Sequence, residues 1–177
     1  MVHVGFILLA FLLNSVFGIY TLVLYLLIYI VTAVGVFSVV LSIRNRITNS
    51  EFMNISILIS LFKKNSSLSL SFSVLLFSLA GIPPLAGFYP KLNIIFYLLS
   101  LEYFSLAILI IILAVVSSYY YIRVIKLMFF SKQDNWLILF PCTKKLSYII
   151  SLSCFFNLFY LVFNEEIQIF IYSSILS

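Results

Sequence analysis

Several nearly uninterrupted apolar runs, each long enough to cross a lipid bilayer, follow one another between short polar connections in this chain. A helix needs roughly 20 apolar residues to cross the hydrocarbon core. The runs are continuously apolar, without the alternation over about ten residues that marks a membrane barrel, so helices are expected instead of strands. Composition agrees, because 64% of the residues are hydrophobic and only 8% are charged, whereas a soluble domain carries about 25% charged residues. A chain with so little polar surface is expected to be one all-α domain over residues 1–177, a polytopic membrane helix bundle.

Five membrane helices are expected, at about residues 2–17, 19–42, 69–100, 103–130 and 145–163. The first is short for a full span and starts without a flanking polar anchor, as though a preceding piece of protein were missing. Residues 43–68 carry Arg44, Arg46, Glu51, Lys63 and Lys64 and form the first long polar connection. Its middle, FMNISILISLF, has apolar residues at helical spacing and is expected in the membrane interface or against neighbouring protein.

The formal charge of +5 comes from basic residues at the ends of apolar segments, with no basic stripe, so a nucleic-acid partner is not expected. Topology accounts for these residues. In the five-helix arrangement one side receives Arg44, Arg46, Lys63, Lys64, Arg123, Lys126, Lys132, Lys144 and Lys145, while the other receives no basic residue and carries Glu102, Glu165 and Glu166. Basic residues in short loops and helix ends stay inside, which puts the N-terminus inside and the C-terminus outside. Only Lys91 is left over, within an apolar segment.

The third segment, residues 69–100, is interrupted by AGIPPLAGFYPK at residues 80–91. Pro83, Pro84 and Pro90 lack an amide donor and clash with a preceding helical turn, while Gly81 and Gly87 permit backbone angles that other residues resist. Two half-helices are therefore expected. Irregular backbone at membrane depth is tolerated only where protein or a water-filled cavity satisfies it, and broken helices of this kind recur at ion sites in transporters. Lys91 follows the break directly. A charged lysine near the bilayer centre costs about 2.5–3.5 kcal/mol on insertion scales. Carbonyls freed by the first half-helix and trapped water are suited to receive its hydrogen bonds, and a lysine so placed can load and release a proton. The competing reading is a lysine whose stem carries its charge out to the headgroups.

Other residues are weighed in the same way. His3 could line a hydrated axis, its imidazole titrating near neutrality, or simply be exposed. Arg123 and Lys126, three apart at the inside end of the fourth helix, could pair with Asp134 or bind anionic headgroups, though topogenic anchoring suffices to explain them. Tyr119, Tyr120 and Tyr121 read as interfacial aromatics. Glu102, at the outside end of the third helix, is expected to be a solvated carboxylate or a proton exit group. Cys142 and Cys154 lie twelve apart with no nearby histidine, so they are read as ordinary thiols and no metal site is expected.

SLAGIPPLAGFYPKL at residues 78–92 resembles the broken-helix signature of subunit 2 of respiratory complex I, an antiporter-like family with plastid and bacterial relatives. SSYYYIRVIKLMFF at residues 117–130 is similar to that family's following helix, and NW at residues 135–136 resembles its mitochondrial members. VHVGFILL at residues 2–9 is similar to a segment from the interior of full-length members. The resemblance covers the whole chain but only the family's C-terminal part.

It implies a subunit of the proton-pumping membrane arm, built around inverted helical repeats, in which Lys91 is the terminal lysine of a buried proton relay. The family's upstream glutamate and lysine residues have no counterpart here, and a gene split into two polypeptides is the favoured explanation. The resemblance implies partnership with other membrane-arm subunits, with a separate N-terminal subunit 2 fragment, and with lipids, cardiolipin among them. NADH, FMN, iron–sulfur clusters and ubiquinone would be used elsewhere in the complex, with no cofactor bound by this chain. The mitochondrial inner membrane is the expected location, with the N-terminus on the matrix side and the C-terminus on the intermembrane-space side. MVHVGFILLAF lacks the pattern of a transit peptide, and the abundance of Phe, Tyr, Ile and Asn suits an AT-rich organellar gene. A stand-alone cation/proton antiporter and a structural lipid-binding scaffold without its own proton path are the alternatives.

Overall fold

The computed structural model describes residues 2–13, 15–42, 65–130 and 143–176, and within them every regular element is a helix. In chain order these are α1 (Val2–Leu12), α2 (Val16–Ser42), α3 (Ser66–Ala80), α4 (Phe88–Ser100), α5 (Phe104–Phe130), α6 (Lys144–Phe159) and α7 (Asn164–Leu176). The basic and interfacial readings at Arg44, Arg46, Lys63, Lys64 and Lys132, the expected amphipathic segment, Asp134, the NW pair and Cys142 lie outside the described residues.

Helices α2 and α5 have 27 residues each, about 40 Å at 1.5 Å per residue, more than the roughly 30 Å of a hydrocarbon core. Both are long and apolar enough to cross a membrane. One flank of α5 leaves Ile108, Ile112, Val115, Tyr119 and Tyr120 exposed. In water such a surface would be costly, while against lipid or a neighbouring membrane helix it is ordinary.

The expected broken third helix is present as α3 and α4, separated by residues 81–87. α3 packs against α2, α5 and α6, and α4 against α1, α2 and α5, so the two long helices enclose the break. Three apolar clusters hold the bundle, and α2 contributes to each. Val39 joins Leu75, Leu76, Met128 and Ile150; Tyr25 joins Phe6, Ile94, Leu98 and Ile110; and Tyr20, Leu24 and Ile28 join Ala86, Tyr160 and Ile171.

The element ends differ from the sequence reading in two places. α1 stops at Leu12, short of residue 17, and α2 begins at Val16. The Ser15 hydroxyl accepts the Gly18 N–H at 3.0 Å, an N-cap contact that starts a new helix inside what reads as one apolar run. At the other end, α7 is an additional helix that the apolar pattern did not single out. It departs from α6 at 95°. Glu165 and Glu166 occupy its first turn, where carboxylates favour the positive end of a helix.

Candidate functional site

The last four carbonyls of a helix have no partner within it, and the end of α3 shows where they go. Gly81 adopts a left-handed backbone with φ 82°. Its N–H donates to the Ser78 carbonyl at 3.0 Å and the Ile82 N–H donates to the Phe77 carbonyl at 3.2 Å. That is a Schellman cap, which the missing Cβ of glycine allows. It leaves the Leu79 and Ala80 carbonyls, and both accept from the Lys91 ammonium, at 2.8 and 3.0 Å. Lys91 is only 6% exposed, so its stem does not carry the charge out to a surface of this chain. A Cβ on Gly81 would lie 2.9 Å from the Lys91 nitrogen. The glycine thus shapes the turn and also leaves the space the lysine fills.

The segment between the half-helices closes in two successive turns, Leu85 N–H to the Ile82 carbonyl and Phe88 N–H to the Leu85 carbonyl, each at 3.1 Å, with a cis peptide between Pro83 and Pro84. Pro90 falls in the first turn of α4, where a missing N–H leaves no gap in the helical ladder. Gly87 lies against the backbone of α3, and a Cβ there would come 1.9 Å from the Ser78 carbonyl oxygen. All five glycine and proline positions read as the break therefore lie in or beside it.

Two residues that the sequence reading missed fasten the break. The Ser78 hydroxyl donates to Asn157 Oδ1 at 2.6 Å and accepts the Gly87 N–H at 3.1 Å. The Asn157 backbone carbonyl accepts the Ala86 N–H at 3.2 Å, and its side-chain amide donates to the Ser153 carbonyl at 2.7 Å. Asn157 is fully buried on α6. A lone asparagine within an apolar membrane segment is the signal that could have found it, because such amides are commonly used to bond across helices.

Lys91 borders two cavities. One, of about 320 Å³, lies between α4 and α5 and is lined by Gly81, Pro83, Phe88, Ile111, Val115 and Ser118 among others. The other, of about 10 Å³, lies on the α1–α2 side and is lined by His3, Tyr25, Tyr29, Thr32 and Ser78. A volume near 10 Å³ is about the threshold for one water molecule. The Phe6 ring centre, on α1, is 5.8 Å from the Lys91 nitrogen, within range of a cation–π attraction.

His3 is buried, which removes the reading of plain exposure. Its Nδ1 pairs with the Tyr25 hydroxyl at 2.9 Å and its Nε2 with the Tyr121 hydroxyl at 3.0 Å. Tyr119 and Tyr120 face outward as interfacial aromatics would, whereas Tyr121 turns in to meet this histidine. The structure brings Lys91 and His3 to one cavity, but not Glu102. Glu102 is exposed in the turn after α4, about 16 Å along the helix from Lys91 at 1.5 Å per residue. There it closes a second cap with φ 63°. Arg123 and Lys126 are exposed on α5. Cys154 is half-buried, its thiol donating to the Ser71 carbonyl at 3.5 Å. Among the described residues no group of three or more His, Cys, Asp or Glu side chains is placed to hold a metal ion.

A buried lysine held on the carbonyl end of one half-helix, beside the amide end of the next, is equipped to exchange a proton. The negative end of α3 attracts the ammonium, while burial and the positive end of α4 oppose it. Among the described residues two carbonyls accept from it, and an ammonium has three N–H groups to offer.

Comparison with known proteins agrees with this architecture. Residues 1–118 match the family model described as NADH:quinone oxidoreductase/Mrp antiporter, transmembrane. The chain is 34% identical over 165 residues to NADH-ubiquinone oxidoreductase chain 2 of Marchantia polymorpha, covering 93% of this chain and 33% of that protein. It is 36% identical over 160 residues to the protein of the same name in Oenothera berteroana, covering 90% and 32%. It is also 38% identical over 130 residues to NADH-quinone oxidoreductase subunit N of Paramagnetospirillum magneticum, covering 73% and 26%. The chain thus spans about a third or less of the length of these relatives. With the match running from α1 through the break and Lys91 into α5, the chain belongs to the NADH:quinone oxidoreductase/Mrp antiporter membrane family.

Proposed function

We propose that this chain is part of a membrane-arm subunit of mitochondrial respiratory complex I, and that Lys91 takes up and releases a proton as ubiquinone is reduced elsewhere in the assembly. The observation that supports this most is the buried Lys91 ammonium seated on the Leu79 and Ala80 carbonyls at a break between two half-helices. An anchoring lysine would need neither the burial nor the break. On this reading a change in electrostatics along the membrane arm alters the balance between the two helix ends around Lys91, and the proton moves on.

The chain does no redox chemistry of its own in this proposal; flavin, iron–sulfur clusters and quinone belong to other subunits. It lies in the mitochondrial inner membrane, N-terminus toward the matrix, with Arg123 and Lys126 at the matrix end of α5, free to meet anionic headgroups such as those of cardiolipin. The rest of a full-length subunit works beside it, as an upstream fragment or as further sequence of the same protein.

Native electrophoresis of detergent-solubilised membranes, read by peptide mass spectrometry, tests the assignment. Comigration of this chain with NADH:quinone oxidoreductase activity and with upstream subunit 2 peptides is the expected result. Migration away from that activity would contradict it. Proton–cation exchange in vesicles without an electron donor would then favour an antiporter, and its absence a scaffold.

A further inference from the structure

His3 is the one histidine of the chain, and both of its ring nitrogens are engaged by phenols from two different helices. A neutral imidazole carries one N–H and one lone pair, so one phenol must donate to it while the other accepts from it. The arrangement is a continuous hydrogen-bonded chain, Tyr121 on α5 to His3 on α1 to Tyr25 on α2. Its two ends lie in different places. Tyr25 and His3 line the small cavity that Lys91 also lines. Phe6, one turn after His3 on the same face of α1, brings its ring centre within 5.8 Å of the Lys91 nitrogen. Tyr121 lies one turn beyond Ser118, which lines the larger cavity, and two residues before the exposed Arg123.

We propose that Tyr121, His3 and Tyr25 form the proton inlet of the Lys91 site, carrying protons through the imidazole from the basic end of α5 to the cavity beside Lys91. This rests on the reading of Lys91 as a proton carrier. The transfer balances without any ionised phenol remaining. A proton reaches the Tyr121 oxygen as that hydroxyl gives its own proton to His3 Nε2. The proton on Nδ1 passes to the Tyr25 oxygen, and the Tyr25 hydroxyl proton passes into the cavity and on to the neutral Lys91 amine. One proton goes in and one comes out, both tyrosines keep a proton, and His3 exchanges tautomer, which is restored before the next transfer. Tyr29, with its ring centre 5.1 Å from that of His3, packs beside the imidazole.

The test is the assembled complex carrying Tyr121→Phe or Tyr25→Phe, each of which removes a single oxygen and keeps the ring. Proton translocation driven by NADH is expected to slow roughly 100-fold, the low end of what a positioned proton-transfer group contributes. NADH oxidation by an artificial acceptor that takes electrons ahead of quinone should be unchanged, as should translocation in the exposed neighbour's variant Tyr120→Phe. The slowed variants should also show a larger solvent deuterium isotope effect, which a packing defect would not produce. The two variants break opposite ends of the chain, so either one that assembles at normal yield decides the matter. Translocation at the unaltered rate in such a variant would overturn the inlet. If Lys91→Met abolishes translocation while the tyrosine variants leave it intact, only the inlet falls; if Lys91→Met leaves it intact, the role of Lys91 falls as well.

Discussion

Alanine at position 81 would have to carry its Cβ at a φ of 82° and 2.9 Å from the Lys91 nitrogen. The left-handed backbone alone costs a non-glycine residue roughly 1–2 kcal/mol, and the contact forces the ammonium off the two carbonyls it holds. Gly81→Ala is therefore expected to lower both the thermal inactivation temperature of the complex and the protons moved per electron. A variant that lost thermal stability yet pumped normally would mean the position of Lys91 is not tuned by this turn. Glu102 presents the converse case, since it occupies a left-handed cap at φ 63° with a side chain suited to neither. Glu102→Gly should raise stability by about 1 kcal/mol, as measured by thermal inactivation beside a translocation assay; unaltered translocation would fit a merely solvated carboxylate, and slowed translocation the reading of Glu102 as an exit group. The placement of Gly81, the prolines and Lys91 at one break was legible in the sequence because their effects on the backbone are local. The pairing of His3 with Tyr121 was not, because that contact joins residues 118 apart.

At the scale of elements, the break is held from outside by α6. Asn157 bonds Ser78, at the end of the first half-helix, and Ala86, within the interruption, at once. Truncating it to alanine leaves the buried Ser78 hydroxyl without its acceptor, at a cost of roughly 1–3 kcal/mol. Asn157→Ala should accordingly reduce assembled complex on native gels and slow translocation in what remains, whereas the exposed Leu158→Ala next to it should do neither. Equal behaviour of the two variants would remove α6 from the account. The half-helices themselves could be read from proline and glycine placement, since those residues dictate backbone locally. The clamp's pairing could not, because it joins residues 79 apart, although the lone asparagine in an apolar segment marks one of its members. Nor could α7, whose 13 residues are too few for a span and which departs from α6 at 95° to pack against α2.

Across the whole molecule, two long helices enclose a broken one, and the single basic residue that charge topology leaves unexplained is buried at the break. The all-α membrane fold followed from apolar run lengths, because in a bilayer the span length and the need to satisfy the backbone leave few alternatives. The proton-carrying role assigned to Lys91 is the claim on which the account turns. It is tested most directly by measuring protons translocated per electron in sealed vesicles containing the complex with Lys91→Met, a substitution that keeps the stem's bulk and removes the titratable group. The account predicts that this variant assembles normally, oxidises NADH with the artificial acceptor at the usual rate, and translocates fewer protons per electron. An unaltered proton-to-electron ratio in the fully assembled variant would contradict it.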